Sequence, residues 1–409
     1  MRVLHTSDWH IGRTLYGRKR YGEHEAFFNW LITTLNEQRV DVLLVAGDIF
    51  DTTMPSHRAQ ELYYLFLRQV AATPCRHVVI TGGNHDSPSF LNAPKELLKA
   101  FSVHVLGSMP ATLAEEVLLL HDEAGQPELI VCAAPYLRDR DVRVVEPGEG
   151  IAEKDGNLID GIGKHYQALT AFAEQIRAGL GVDIPIIAMG HLFTAGGQTI
   201  DGDGVREMYV GSLAHIDATM FPAGLDYVAL GHLHVPQKVR GREDIRYSGS
   251  PLPMGFNEAN QQKSLSLVEF QGREAELTLI AIPVFQVLAQ IKGNWLHIAE
   301  KIEALAQTGS YAWLEIIYTG QEILGDLRER VETAVAPTNM EIVRIKNERL
   351  AGAILEQIGE KETLANLNAD DVFKRCLTAH KVPEAQWPVL EKTYQEALSS
   401  LLEEDRQAE

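Results

Sequence analysis

The sequence predicts a layered α/β protein: two packed mixed sheets flanked by helices, then a small α/β capping domain and a C-terminal helical pair. Three observations carry this prediction. Short apolar runs alternate with helix-length segments from the first residues to about residue 280. Several of those runs end in Gly-marked clusters of Asp, Asn and His, where open α/β sheets place their ligand sites. After Pro283 the alternation resumes on a smaller scale and passes into a polar stretch.

Taken in order, strands are expected over residues 2–6, 40–46, 77–81, 129–133, 184–189 and 227–230, with helices over 23–38, 56–71, 93–101 and 162–179. Val42 to Ala46 is apolar throughout, as suits a strand covered on both faces. The helix over 56–71 carries Leu62, Tyr63, Leu65, Phe66, Leu67 and Val70 on more than one face, so it should be buried on two sides. Runs over 245–248 and 265–270 sit between turn signals and read as antiparallel strands, and residues 147–160, rich in Gly, Glu and Asp, read as a loop. Domain boundaries are expected at 1–282, 283–346 (capping domain), 347–367 (linker), 368–402 (helical pair) and 403–409 (polar tail).

In the capping domain, strands over 284–291, 311–319 and 341–346 enclose helices over 295–307 and 322–335. Asn294 caps the first helix and Pro337 helps to stop the second. The first helix of the C-terminal pair carries Val372, Phe373, Cys376 and Leu377. The second carries Trp387, Leu390, Tyr394, Leu398 and Leu401 at three–four spacing. These stripes either dock back on the chain or bind a partner helix.

Composition limits the function classes. Apolar content of 45% and charged content of 23% are ordinary for a globular protein. Cys75, Cys132 and Cys376 form no CxxC pair, which gives neither a disulfide framework nor a zinc cluster and fits a reducing compartment. A strand follows Met1 almost at once, so no signal peptide is expected. No apolar run reaches membrane-spanning length, and a cytoplasmic location with no membrane partner is expected. The net charge of −19 argues against a simple electrostatic DNA binder but not against an enzyme whose bound cations dominate the local potential. Between Trp9 and Gly22 there are no acidic residues, while Arg13, Arg18, Lys19 and Arg20 are cationic. This loop is either a solvated surface or a phosphate-backbone contact.

The candidate ligands are Asp8, His10, Asp48, Asn84, His191, His232 and His234. In an extended segment, side chains at i and i+2 share a face, which would bring Asp8 to His10 and His232 to His234. Asp48 has two oxygens and can bridge two cations. A set of carboxylate, amide and imidazole without thiolate suits Mn²⁺, Fe²⁺ or Zn²⁺. No Gly-x-x-x-x-Gly-Lys-[Ser/Thr] loop is present, so ATP dependence would need another protein chain.

The ordered series Asp8-x-His10, Gly47-Asp48, Gly83-Asn84-His85-Asp86, Gly190-His191 and Gly231-His232-x-His234 resembles the calcineurin-like metallophosphoesterases. The segments His5 to Gly12, Gly47 to Asp51 and Tyr247 to Pro251 narrow the resemblance to that family's bacterial DNA-processing nuclease subunits. The resemblance implies two divalent ions, with Mn²⁺ expected: one held by Asp8, His10, Asp48 and His234, the other by Asp48, Asn84, His191 and His232. It also implies that His85 faces the substrate as a catalytic residue. Asp51 would orient His85, unless it is only a turn or capping carboxylate, and Asp86 would be structural. DNA would be the substrate, and an ATPase with a long coiled coil would bind the C-terminal helices. A homodimer would form through the helices over 56–71 and 93–101. A phosphatase or nucleotide phosphodiesterase for small substrates, and a scaffold with an inactive site, remain as alternatives.

Overall fold

The computed structural model describes residues 1–143, 150–194, 217–322 and 324–348, with a few positions between 373 and 394. The chain divides into two compact units, Met1–Leu288 and Ala289–Glu409.

The first unit contains two six-stranded sheets. In the first sheet, β1 (Arg2–Thr6), β4 (Val42–Ala46), β5 (His77–Thr81) and β6 (Val103–Leu106) are parallel. On the free side of β1 lie β13 (Ser264–Gln271) and then β14 (Glu274–Ala281), both antiparallel to their neighbours. The parallel strands are joined through α1 (Tyr21–Glu37), α2 (His57–Val70), and α3 (Pro88–Asn92) with α4 (Lys95–Lys99). A small hairpin, β2 (Thr14–Leu15) and β3 (Arg18–Lys19), follows β1.

The second sheet comprises β7 (Val117–His121), β8 (Pro127–Ala133), β9 (Ile186–His191), β10 (Tyr227–Gly231), β11 (Gln237–Val239) and β12 (Arg242–Tyr247), in the order β11-β12-β10-β9-β8-β7. Its inner strands are parallel and its two edges antiparallel. α5 (Leu113–Glu116), α6 (Asp139–Val142) and α7 (Ile151–Leu180) complete this half.

Period-two alternation builds the layers. On β1, Leu4 joins Phe27 and Leu31 of α1, while Val3 faces the second sheet with Val131 and Ile187. The second sheet's other face packs Ile186 and Val228 with Leu158, Ile162 and Leu169 of α7. Parallel strands covered on both sides explain the unbroken apolar runs.

Several expectations need correction. Residues 151–160 are helical, because α7 begins at Ile151. Gly156, Gly161 and Gly163 weaken that helix by about 1 kcal/mol each relative to Ala, but burial of Leu158 and Ile162 against the sheet offsets the loss. The 93–101 helix is shorter, α4 over Lys95–Lys99 with Pro94 at its N-cap position, and a separate short helix, α3, precedes it. The run over 245–248 belongs to β12, antiparallel to β11 but parallel to β10. The strand expected from 284 begins at Leu288, and Val284 is 62% exposed.

His5 of β1 and Tyr227 of β10 join the sheets through a 3.0 Å hydrogen bond between Nδ1 and the phenol oxygen. Burial, helped by the Arg246 charge, pushes His5 down to about 3. The unfolded chain titrates this group near 6.5, so it takes up a proton before the folded protein does. His5 thus favours the fold above pH ~6.5, and this contribution is lost as pH falls toward about 3. In chelator, His5→Gln should reduce the acid-side slope of stability against pH by up to ~1.4 kcal/mol per pH unit. Urea titrations between pH 6.5 and 4 measure this; parallel slopes for the two proteins would show that His5 plays no such part.

The second unit's sheet orders β15 (Leu288–Gly293), β16 (Trp313–Tyr318) and β17 (Glu341–Asn347). α8 (Trp295–Gln307) is capped by Asn294, whose Oδ1 accepts from His297 N–H at 3.0 Å. α9 (Leu327–Val335) starts later than residue 322. Of the C-terminal pair, Phe373, Leu377, Trp387, Leu390 and Tyr394 are described and helical, and Phe373 stacks on Tyr394 at 4.1 Å. β17 runs to Asn347, the first position expected in the linker; residues 349–367, Val372, Cys376, Leu398, Leu401 and the tail lie outside the described residues.

Candidate metal centre

The carboxyl ends of β1, β4 and β5 from the first sheet meet those of β9 and β10 from the second. Asp8, His10 and Asp48 adopt left-handed backbone conformations with φ of 52, 45 and 50°, and His232 has φ of 100°. Such backbone costs roughly 1–3 kcal/mol per residue and persists only where surroundings impose it. Here Asp8 N–H donates to Gly47 O (3.0 Å), His10 N–H to Asp48 O (3.0 Å) and Ile11 N–H to Ile49 O (2.9 Å), so the segments after β1 and β4 run side by side. Asp8 and His10 do come together, but through these turns rather than an extended segment. Between them, Trp9 is fully buried against Phe28 and Phe66, at ring distances of 5.1 and 5.3 Å.

Two glycines let the sheets close on the site. A Cβ on Gly231 would lie 1.8 Å from Ala46 O, and one on Gly47 would lie 2.2 Å from His191 Nδ1.

Two groups of ligand atoms form around Asp48. Asp8, His10 and His234 offer atoms within 4.8 Å of one another, as do Asp48, His191 and His232. Asn84 joins the second group, its Oδ1 lying 2.9 Å from His191 Nε2 and 3.2 Å from His232 Nδ1. Asp48 Oδ2 is 3.5 Å from His10 Nε2 and 3.4 Å from His191 Nε2, between the two groups. A third group, His10, Asp51 and His85, overlaps the first at His10.

The donor chemistry fits cations. His10 Nε2 and His234 Nε2 approach to 3.2 Å, and burial pushes both rings well toward the neutral form. Burial and the His191 charge push His232 down to about 3. Neutral imidazole nitrogens, an amide oxygen and carboxylates therefore converge, and each can turn a lone pair toward a cation placed among them. His191 behaves differently. Although burial favours its neutral form, Asp48 and Asp8 raise it to about 9. Its Nδ1 donates to Ala46 O at 3.0 Å, which aims Nε2 at Asp48 and Asn84.

His85 Nδ1 lies 2.9 Å from the Asp51 main-chain oxygen. The carboxylate expected to orient His85 points elsewhere: Asp51 Oδ1 is 3.3 Å from His10 Nδ1 and 3.2 Å from an Arg13 nitrogen. Against the upward push of burial, His10 and Arg13 hold that carboxyl down to about 2. Asp86 is structural, accepting N–H bonds from Gly83, Ile49 and Phe50 at 2.9–3.1 Å.

The basic loop divides. Arg18 and Lys19 are exposed on β3, and Arg13 lies at the rim beside Asp51. Arg20 is only 2% exposed; its fork grips Glu23 at 2.8 and 2.6 Å and it also donates to Pro253 O. Neutralised and buried, it does not face a substrate, contrary to expectation. Glu23, three residues on in the first turn of α1, was the available signal.

Sequence reasoning missed a support beneath His234. The buried Lys263 ammonium donates to His234 O at 2.9 Å, Ser250 Oγ at 3.2 Å and Glu258 Oε2 at 2.6 Å. A single lysine ahead of a strand carries no pattern that marks such a role. Tyr247 is another: its hydroxyl accepts from Thr194 N–H at 2.9 Å and donates to Leu192 O at 2.7 Å, holding the chain after His191.

The sequence profile of the calcineurin-like phosphoesterases matches residues 1–236, and that of the type 5 capsule protein repressor C-terminal (SbcD_C) domain matches residues 284–381. The chain is 35% identical to SbcD, the D component of nuclease SbcCD, from Escherichia coli K12, over 98% of both chains. It is 39% identical to SbcD of Rhodobacter capsulatus over 67% of this chain and 68% of that one. SbcD of Bacillus subtilis gives 36% over the same shares. The chain belongs to the SbcD branch of the calcineurin-like phosphoesterases. Divalent metal chemistry comes with that family, and the SbcD match extends across both compact units. No helix among the described residues is long and apolar enough to cross a membrane.

Proposed function

We propose that this SbcD-family chain is a metal-dependent DNA phosphodiesterase, an exonuclease and endonuclease acting on duplex ends or hairpins. The carrying observation is Asp48 Oδ2, set between His10 Nε2 at 3.5 Å and His191 Nε2 at 3.4 Å. Asp8, His10, Asp48 and His234 would hold one ion, and Asp48, Asn84, His191 and His232 the other; the oxygen–nitrogen set suits Mn²⁺, Fe²⁺ or Zn²⁺, and the family resemblance favours Mn²⁺ among them. When bound, such ions supply an activated water and neutralise charge on the phosphate. The chain's own part falls to His85, whose Nδ1 is engaged by Asp51 O, so that Nε2 serves the phosphate or the leaving alkoxide. Asp51 acts through both histidines, by its carbonyl on His85 and its carboxylate on His10. Arg13, Arg18 and Lys19 would meet the DNA backbone at the rim.

The relatives are named as subunits of nuclease SbcCD, which supports an SbcC partner; that partner would be the ATPase, would be reached through the C-terminal helices, and would meet this chain in the cytoplasm. A homodimer within that heterotetramer would use outward apolar side chains: Tyr64 and Leu65 on α2 (36 and 37% exposed), Leu97 on α4 and Phe101 (66 and 60%). The small-substrate phosphatase is disfavoured because the SbcD match covers both units.

Defined linear and hairpin DNAs test the reading. Cleavage should require Mn²⁺, stop with chelator and outpace release of phosphate from a mononucleotide. Hydrolysis of the mononucleotide with DNA left intact would overturn it in favour of the small-substrate enzyme.

A further inference from the structure

Both groups of candidate ligands draw on both sheets, so each depends on ties that cross between them. For the second group the ties belong to the ligands themselves: His191 Nδ1 donates to Ala46 O at 3.0 Å, and His232 N–H donates to Asp8 Oδ1 at 2.9 Å. For the first group, His234 is reached from the first sheet by Lys263. This lysine directly precedes β13, whose Ser266 pairs with His5 of β1.

The Lys263 ammonium uses a three-donor set on three oxygens, namely His234 O, Ser250 Oγ and Glu258 Oε2. Lys263 is 4% exposed and Glu258 1%, so the pair is a buried one. Buried ion pairs are weak as net stabilisers, and apolar replacements often equal them. Geometry is what this pair supplies. Glu258 Oε2 also accepts Met254 N–H at 2.9 Å, and Ser250 N–H donates to His234 O at 3.1 Å. Ser7 Oγ, beside Asp8, lies 3.4 Å from Gly249 O and 2.5 Å from Asp8 Oδ2. The segment around Ser250 is therefore clasped between Asp8 on one side and His234 on the other.

We propose that Lys263 is a positioning residue for the first metal site alone, holding His234 against Asp8 and His10 through the His234 carbonyl. The proposal rests on the two-ion reading and deepens it by making the two sites separable. The second site keeps its own ties through Ala46 and Asp8, so loss of Lys263 should act on one ion and spare the other.

Lys263→Met keeps the apolar stem and removes the donors. Lys263→Met/Glu258→Gln removes both charges, so no unpaired carboxylate stays buried if the single variant fails to fold. Mn²⁺ binding to the full-length chain, followed by electron paramagnetic resonance and equilibrium dialysis, should show one equivalent at parent affinity. The other should weaken by about 10–100-fold, the usual effect of losing a residue that orients a ligand. Lys263→Arg should recover part of the loss, and melting in chelator reports on the fold separately. Parent affinity for both equivalents, an equal loss at both, or unfolding of both variants would overturn the proposal. A parent chain that binds only one ion overturns the two-ion reading itself, before any variant is compared.

Discussion

Replacing Asp48 with Ala should remove both metal ions and take DNA cleavage down to the chelated baseline. Asp48 stands 3.5 Å from His10 and 3.4 Å from His191, so both proposed sites lose their shared anionic ligand. Burial opposes the charge on this group, yet His191, His10 and His85 hold it well below the usual carboxylate range. It is thus ionised and ready for cations across the working range. Asp48 Oδ1 also accepts His85 N–H at 2.9 Å, a bond that Ala abolishes and Asn can keep. Asp48→Asn separates the two effects: it should preserve the backbone turn at His85 while still weakening both ions. Elemental analysis that finds two ions per chain in Asp48→Ala would remove Asp48 from the bridge.

His85→Gln should keep both ions and DNA affinity and lose about 10²–10⁴-fold in turnover, the usual scale of general acid–base help. The ring is buried, Asp51 O engages its Nδ1 at 2.9 Å, and it meets His10 edge-to-face at 4.8 Å. That contact brings the alternative group, His10, Asp51 and His85, into play as ligands. The two readings part cleanly. Single-turnover rates should fall with an unchanged Mn²⁺ isotherm if His85 serves the substrate, whereas a missing ion would place it among the ligands.

All seven candidate ligands were legible in the sequence because strand ends are. An apolar run followed closely by a carboxylate, amide or imidazole marks a site independently of how the turn is built; β1, β4, β5, β9 and β10 each carry that mark, and all but β1 add a Gly before the ligand. The turn itself was not legible. Left-handed backbone at Asp8, His10 and Asp48 depends on hydrogen bonds between segments about 40 residues apart in sequence, a tertiary effect that overrides local pattern. The same holds for side-chain direction. Asp51 was found, but whether its carbonyl or its carboxylate meets His85 is decided by the packing of His10 and Arg13. Arg20 looked solvent-facing because cationic loops usually are, and a neighbour on the next helix turned it inward. Lys263 gave no sign at all, since its three partners come from residues 234, 250 and 258.

The first sheet is completed only when β13 docks beside β1, and the Arg2–Glu269 side-chain bond beside that pairing spans 267 residues. A ribosome adding roughly 5–20 residues per second needs about 13–53 s to bridge that span. By the time His234 has emerged, a nascent chain already carries all seven candidate ligands, but it lacks both the closing strand and Lys263. Contacts of such long range form late and slowly. During synthesis, the metal-binding end of the protein should therefore be among the last parts of the first unit to take shape, and a chain arrested before β13 should be a dormant nuclease.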